Sequence, residues 1–265
     1  MTANSLLIVV PTLNSFRLLQ RLVDSLLDQS LVQWRLLVVD GPSSPNHRRW
    51  LEKCCAADKR FSWLAQRSEE PGIFGAMNQG FAEAAQDEWL LFWGSDDWAA
   101  GPTVLEHAIS SLERVSFQDD VPDLIVCRGR YVNSVSGELS RPAVFQNGGL
   151  LSTPAYRRAL LFGSTPPHQA TLFGPGARRH LNRYAPGFCL SADLDYFLQL
   201  SRHPGLCVRC LDLELVHMGD AGVSAQQTHR RLQEVAQAYR RAFAWAWWFP
   251  FMARYIRRLA SLFRR

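Results

Sequence analysis

The amino-acid sequence predicts an α/β fold in which a mostly parallel sheet is covered by helices on both faces. Short, unbroken apolar runs stand at Leu6 to Val10, Trp34 to Val39, Phe61 to Ala65 and Trp89 to Trp93. Stretches with apolar residues at helical spacing lie between them, and the runs give way to polar, turn-forming residues. Strands buried on both faces read as continuous apolar runs, and parallel neighbours need right-handed crossovers that helices supply.

In order, the first run stops at Pro11-Thr12-Leu13-Asn14. Phe16, Leu18, Leu19, Leu22, Val23, Leu26 and Leu27 then recur on one helix face. The second run ends at Asp40-Gly41-Pro42, the third precedes a helical stretch from Phe74 to Ala85, and the fourth enters Gly94-Ser95-Asp96-Asp97. Past Thr103 the pattern changes. A helix to Phe117, a strand at Leu124 to Val126, and a hairpin over Tyr131 to Leu139 turning at Ser136-Gly137 are expected. A loop with Thr165-Pro166-Pro167-His168 follows, then a helix starting near Asp193. The organisation expected is one domain over residues 1–227 and a basic, aromatic helical tail over 228–265. Within the domain, 1–100 form the ligand-binding half and 101–227 an α+β elaboration of the same sheet.

With 265 residues, 47% of them hydrophobic and 20% charged, the chain can bury a sizeable core. Six cysteines are scattered through apolar segments, and no secretory signal precedes the first strand, so a reducing cytoplasm is expected. Cys207-Val208-Arg209-Cys210 lacks the second pair that a zinc site wants. The net charge of +5 comes from the tail, where nine Arg stand against one Glu between Thr228 and Arg265. A nucleic-acid-binding domain carries its basic stripe on the folded body, so no nucleic-acid partner is expected. The absence of a Gly-x-x-x-x-Gly-Lys loop and of Gly-x-Gly-x-x-Gly counts against a nucleotide hydrolase or dehydrogenase.

In open parallel sheets, ligands lie outside the carboxyl ends of the strands. Thr12, Asn14, Asp40, Asp96 and Asp97 fall there. Two adjacent carboxylates repel unless a cation or a donor hydroxyl offsets their charge, and hard oxygen ligands suit magnesium or manganese. The competing reading is an acidic pair that caps the next helix or stays solvated in a turn.

Taken together, Pro11-Thr12-Leu13-Asn14, Val38-Val39-Asp40-Gly41, Gly72-Ile73-Phe74-Gly75-Ala76-Met77-Asn78-Gln79-Gly80 and Gly94-Ser95-Asp96-Asp97 resemble the ordered motifs of family 2 inverting glycosyltransferases of the GT-A fold. The likeness is to transferases of bacterial exopolysaccharide and colanic-acid-type clusters. It continues through His168-Gln169-Ala170-Thr171 and Ser191-Ala192-Asp193-Leu194-Asp195 to Gly222-Val223-Ser224. The resemblance implies a nucleotide-sugar donor lined by Pro11, Thr12, Asn14, Asp40, Asn78 and Asp96, with Asp40 on a uracil base. It implies Mn2+ or Mg2+ on Asp97, with His217 as a further ligand, and Asp193 as the base, with Asp195 as its substitute. His168 and Trp98 would face a lipid-linked or saccharide acceptor, although Trp98 could equally be packing. Gly75, Pro71-Gly72 and Ser44-Pro45-Asn46 depart from the family by lacking acidic residues. The alternative to an active enzyme is therefore a membrane-associated binding protein that kept the fold.

The uncharged run from Ala242 to Ala253 is too short to span a bilayer. Arg240 and Arg241 precede it; Arg254, Arg257, Arg258, Arg264 and Arg265 follow, with Trp, Phe and Tyr interleaved. This composition predicts an interfacial segment on the anionic inner face of the bacterial cytoplasmic membrane. Packing of the same aromatics onto the domain or a partner subunit is the other reading.

Overall fold

The computed structural model describes residues 5–113, 121–133, 136–220 and 227–262. The first half runs β1 (Leu6–Thr12), α1 (Phe16–Leu27), β2 (Trp34–Asp40), α2 (Pro45–Ala57), β3 (Phe61–Ala65), α3 (Ile73–Glu83) and β4 (Trp89–Phe92). Then come β5 (Asp97–Ala99), α4 (Val104–Glu113), β6 (Leu124–Val132), β7 (Leu139–Ala143), β8 (Gly149–Ser152) and α5 (Thr153–Leu161). A 3-10 turn at His168–Ala170 leads into β9 (Thr171–Phe173), α6 (Pro175–His180), α7 (Ala192–Leu200) and β10 (Cys207–Gly219). The chain closes with α8 (Thr228–Phe243), a 3-10 turn at Ala244–Trp247, and α9 (Trp248–Leu262).

The sheet has the order β3-β2-β1-β4-β9-β6-β10-β5, with β7 beside β6 and β8 beside β10. The predicted parallel half is β3-β2-β1-β4. Beyond it the sheet is mixed, because β9 runs antiparallel to both β4 and β6 while β6 and β10 run parallel. Alternate β1 side chains enter opposite cores. Leu7 and Val9 pack with α3, α5, α7 and α8, and Leu6, Ile8 and Val10 pack with α1, α2 and α4.

Of the apolar residues whose spacing predicts α1, Leu19, Leu22, Val23 and Leu26 are buried, whereas Leu18 and Leu27 are exposed. α2, by contrast, starts where the sequence analysis saw only missing acids: Ser44 caps it and Pro45 takes its first position. The predicted hairpin is present in β6 and β7, but β6 runs on to Val132 because β10 pairs along its length. The expected end of a helix at Phe117, the triplet Gly222-Val223-Ser224, and Arg264 and Arg265 lie outside the described residues. The six cysteines are free thiols.

The C-terminal helical extension divides into two parts. Val235, Ala238, Tyr239 and Ala242 of α8 are buried in the core that holds α7. At Ala244 the backbone turns through a positive φ of 48° and α9 folds back onto the domain. It sits against Gly163, where a Cβ would come within 2.4 Å of the Arg254 amide nitrogen, and Arg254 donates to the Thr165 hydroxyl. Trp247 and Phe251 pack against the core, whereas Trp245, Trp248, Met252, Ile256 and Leu259 face outward.

Candidate active site

Parallel register sets Thr12 level with Asp40 at the carboxyl ends of β1 and β2, and the Thr12 hydroxyl donates to Asp40 Oδ1 at 3.0 Å. Ser43 donates to the same oxygen at 2.6 Å, and His47 Nε2 lies 3.1 Å from it. Oδ2 of Asp40 is buried with no hydrogen-bond partner among the described residues, the nearest cation being Arg48 Nε at 3.6 Å. One oxygen of Asp40 is thus hydrogen-bonded within the protein, while the other has only the Arg48 ion pair. His47 is fully buried, and desolvation holds its pKa below the ordinary value against the pull of Asp40.

Asn14 adopts a positive φ of 53°. Its amide donates to Ser43 Oγ at 2.8 Å and its Oδ1 accepts from the Ser44 amide at 2.8 Å. It ties the two loops that frame Asp40. Ser95 donates to the Pro11 carbonyl at 3.4 Å, which joins this group to the acidic pair after β4.

Asp97 is 3% exposed, and its Oδ2 accepts from the Gly94 amide at 2.5 Å. Asp96 is wedged between glycines: a Cβ on Gly94 would lie 2.9 Å from its Oδ1, and one on Gly219 2.4 Å from its Oδ2. Among the described residues no basic side chain pairs with either carboxylate. Burial, and for Asp97 the neighbouring Asp96 charge, push both pKa values up, that of Asp97 far above the carboxylate range. A divalent cation would offset the charge of two desolvated carboxylates that have no basic partner among the described residues. The described residues hold no cluster of three acidic, His or Cys ligands, so the protein offers two carboxylates. That set fits magnesium or manganese, which take their remaining ligands from substrate phosphates and water.

His217 does not join them. It pairs across the sheet with Trp98, while Asp97 pairs with Met218, and successive residues of a strand point to opposite faces. His217 Nε2 instead lies 3.0 Å from Glu214 Oε1. Trp98 is covered by the Arg21 guanidinium, 3.4 Å above its ring, and meets His217 edge-on; this is the packing reading rather than an acceptor platform. Asn78 is likewise spent within the protein: its Oδ1 accepts from the Tyr184 amide at 2.7 Å and its Nδ2 donates to the Tyr184 carbonyl and to Glu70. It braces the donor half against the 184 loop rather than facing a ligand. The acid missing at Gly75 has a steric reason, because a Cβ there would stand 1.9 Å from the Glu70 carbonyl oxygen.

His168 is buried, stacked on Phe92 with ring centroids 5.6 Å apart, and its Nε2 lies 2.6 Å from the Tyr184 hydroxyl. Burial lowers its pKa while the Asp193 charge acts in the opposite sense, which places Asp193 beside this pair. The Asp193 carboxylate, in the first turn of α7, makes no hydrogen bond or ion pair with a described residue. Asp195 is different: 1% exposed, it is held by Arg241 at 2.7 Å and accepts from Gln199. Of the two acids, Asp193 is the one without a hydrogen bond or ion pair to a described residue. His47, Ser43, Glu70 and Tyr184 escaped the sequence analysis. Only the Ser44-Pro45 helix start, which fixes where the first turn containing His47 begins, was there to signal any of them.

Residues 7–162, more than half of the chain, match the model of glycosyl transferase family 2, and the chain belongs to that family. It is similar to a PGL/p-HBAD biosynthesis glycosyltransferase of Mycobacterium tuberculosis, 24% identical over 222 residues that cover 84% of this chain and 79% of the relative. Among solved structures, Staphylococcus aureus TarS 1-349 in complex with UDP-GlcNAc superposes with a TM-score of 0.64 at 16% identity, over 90% of this chain and 67% of that one. Without that ligand, the same TarS fragment gives a TM-score of 0.66 at 15% identity, and the chain spans 66% of its length. Glucosyl-3-phosphoglycerate synthase of M. tuberculosis with Mn2+, UDP and glucosyl-3-phosphoglycerate gives 0.60 at 16% identity, over 90% and 80%. The fold is shared across these proteins. The relative found is a mycobacterial PGL/p-HBAD transferase, so the narrower likeness to exopolysaccharide and colanic-acid-type enzymes has no counterpart in these matches.

Proposed function

We propose that this family 2 glycosyltransferase moves a sugar, with inversion, from a nucleotide diphosphate sugar of the UDP type to a lipid-linked or saccharide acceptor in bacterial surface polysaccharide synthesis. One observation carries the reading. Thr12, Asp40, Asp96 and Asp97 converge at the carboxyl ends of β1, β2 and β4, while Asp193, alone of the two acids in its helix, keeps an unpaired carboxylate. Asp40 Oδ2, which has no hydrogen-bond partner among the described residues, would accept an N–H from the base, and Asp96 would lie on the ribose and sugar side. Asp97 would hold a divalent cation, which would supply charge neutralisation for the leaving diphosphate. Asp193 takes the proton from the acceptor hydroxyl, whose oxygen attacks the anomeric carbon from the face opposite the leaving diphosphate. Structures of other proteins bearing UDP-GlcNAc, or UDP with Mn2+, on this fold support the donor and metal assignments.

The test is UDP release from UDP-N-acetylglucosamine and UDP-glucose with Mn2+. Asp193→Asn is expected to lower turnover about a hundredfold or more, as lost general bases do, with UDP affinity unchanged. A larger loss in Asp195→Asn would move the base by two residues.

The outward face of α9 extends the proposal to location. Trp245 (85% exposed), Trp248, Met252, Ile256 and Leu259 form one stripe, and exposed Arg240 and Arg257 lie near it in sequence. No helix among the described residues is long and apolar enough to cross a membrane. An apolar stripe beside arginines is complementary to an anionic lipid surface, which would hold the enzyme peripherally on the cytoplasmic leaflet.

A further inference from the structure

The turn that leads into the Asp193 helix is closed by a carboxylate from the C-terminal segment. Glu234, on α8, is 5% exposed. The Cys189 amide donates to its Oε1 at 3.0 Å, and the Leu190 and Ser191 amides donate to its Oε2 at 2.7 and 2.9 Å. Arg230, one helical turn earlier, donates Nε to Oε1 at 3.2 Å. Ser191 occupies the cap position of α7 without a side-chain capping bond of its own. Three consecutive amides and one guanidinium converging on a buried carboxylate make a charge-assisted bracket two residues ahead of Asp193. A negative charge at the start of a helix is also favoured by the helix dipole.

We propose that Glu234 is the positioning residue for Asp193. By fixing the turn at 189–191 it aims the Asp193 carboxylate, which makes α8, beyond the part of the chain that defines the family, a component of the catalytic apparatus. The inference rests on the assignment of Asp193 as the base. Proton transfer requires hydrogen-bond reach, and a displacement of about 1 Å can cost about a hundredfold in rate.

In the full-length protein, Glu234→Ala is expected to speed amide hydrogen exchange across 189–193 about tenfold or more, since local opening sets that rate. It should also lower UDP release from UDP-N-acetylglucosamine by at least about tenfold while leaving UDP affinity in place. Glu234→Gln keeps one acceptor oxygen and should fall between, which serves if the alanine variant folds poorly. Added to Asp193→Asn, Glu234→Gln should cause no further loss, because its effect passes through the missing base. Unchanged exchange, a matching loss of UDP affinity, or multiplying losses in the double variant would overturn the proposal. Full turnover in Asp193→Asn alone would instead sink the base assignment, and the exchange result would still report whether Glu234 holds the turn.

Discussion

At the scale of single residues, the proposed site differs from much of the molecule in having buried or half-buried carboxylates without a basic partner among the described residues. Asp58, Glu214 and Asp195 each have an arginine, at 2.7 Å in every case, and Glu234 has three amides as well as one. Asp96, Asp97 and Asp193 have no arginine partner among the described residues. Buried charge without a partner is costly, so Asp97 destabilises the metal-free fold at neutral pH. Asp97→Asn keeps an acceptor for the Gly94 amide and removes that charge. It should raise the melting temperature of the metal-free protein, abolish turnover, and remove the stabilisation that Mn2+ with UDP confers. A wild-type response to Mn2+ in that variant would show that the cation binds elsewhere. The strand-end placement of Asp96, Asp97, Asp40 and Thr12 was legible in the sequence because strand ends in a parallel sheet are fixed by where the apolar runs stop. His217 and Trp98 were misplaced because face alternation along β5 and β10 depends on a register that the sequence does not display. Asn78 was misread for a related reason: its partner, Tyr184, is 106 residues away.

At the scale of elements, β1 to β4, α1 and α3 followed directly from apolar runs and helical spacing, with ends differing by a residue or two, whereas α2 and β5 were not located in advance. The second half was less legible. β9 is three residues long and its place between β4 and β6 is set by long-range pairing alone. The C-terminal extension shows how composition can mislead about role. α8 is as basic as α9, yet Val235, Ala238 and Tyr239 are core residues, and Glu234 and Arg241 grip the α7 helix. Deleting residues 228–265 is therefore expected to unfold the protein, an outcome read by circular dichroism. Membrane binding is better tested on the outward stripe, whose exposed side chains contribute little to the fold. Trp245→Glu with Trp248→Glu and Ile256→Glu should leave the melting temperature and UDP affinity unchanged. The same variant should lose sedimentation with anionic phosphatidylserine-containing liposomes at low salt. Retained liposome binding would assign the stripe to something other than lipid.

At the scale of the whole molecule, buried titratable groups on both sides of the sheet set opposing demands on pH. His47, beside Asp40, and His168, beneath Asp193, both have pKa values lowered by burial. A histidine whose folded pKa lies below its unfolded value near 6.5 contributes stability that is complete above that value and is lost as pH falls through the folded one. Asp96, Asp97 and Asp195 are shifted the other way, upward by burial, so each favours the fold when protonated and costs stability as pH rises through its folded pKa. In the metal-free protein the two sets therefore act in opposite directions as pH falls from neutral. Removing the most strongly shifted carboxylate exposes the histidine contribution. Asp97→Asn is therefore expected to lose thermal stability more steeply than wild type as pH is lowered from 7 to 5.5. Adding His168→Gln, which keeps a group able to bond the Tyr184 hydroxyl but cannot be protonated, should flatten that slope. Melting curves of the three proteins without metal across this range decide the matter: parallel pH profiles would mean that neither His168 nor Asp97 governs the acid limb.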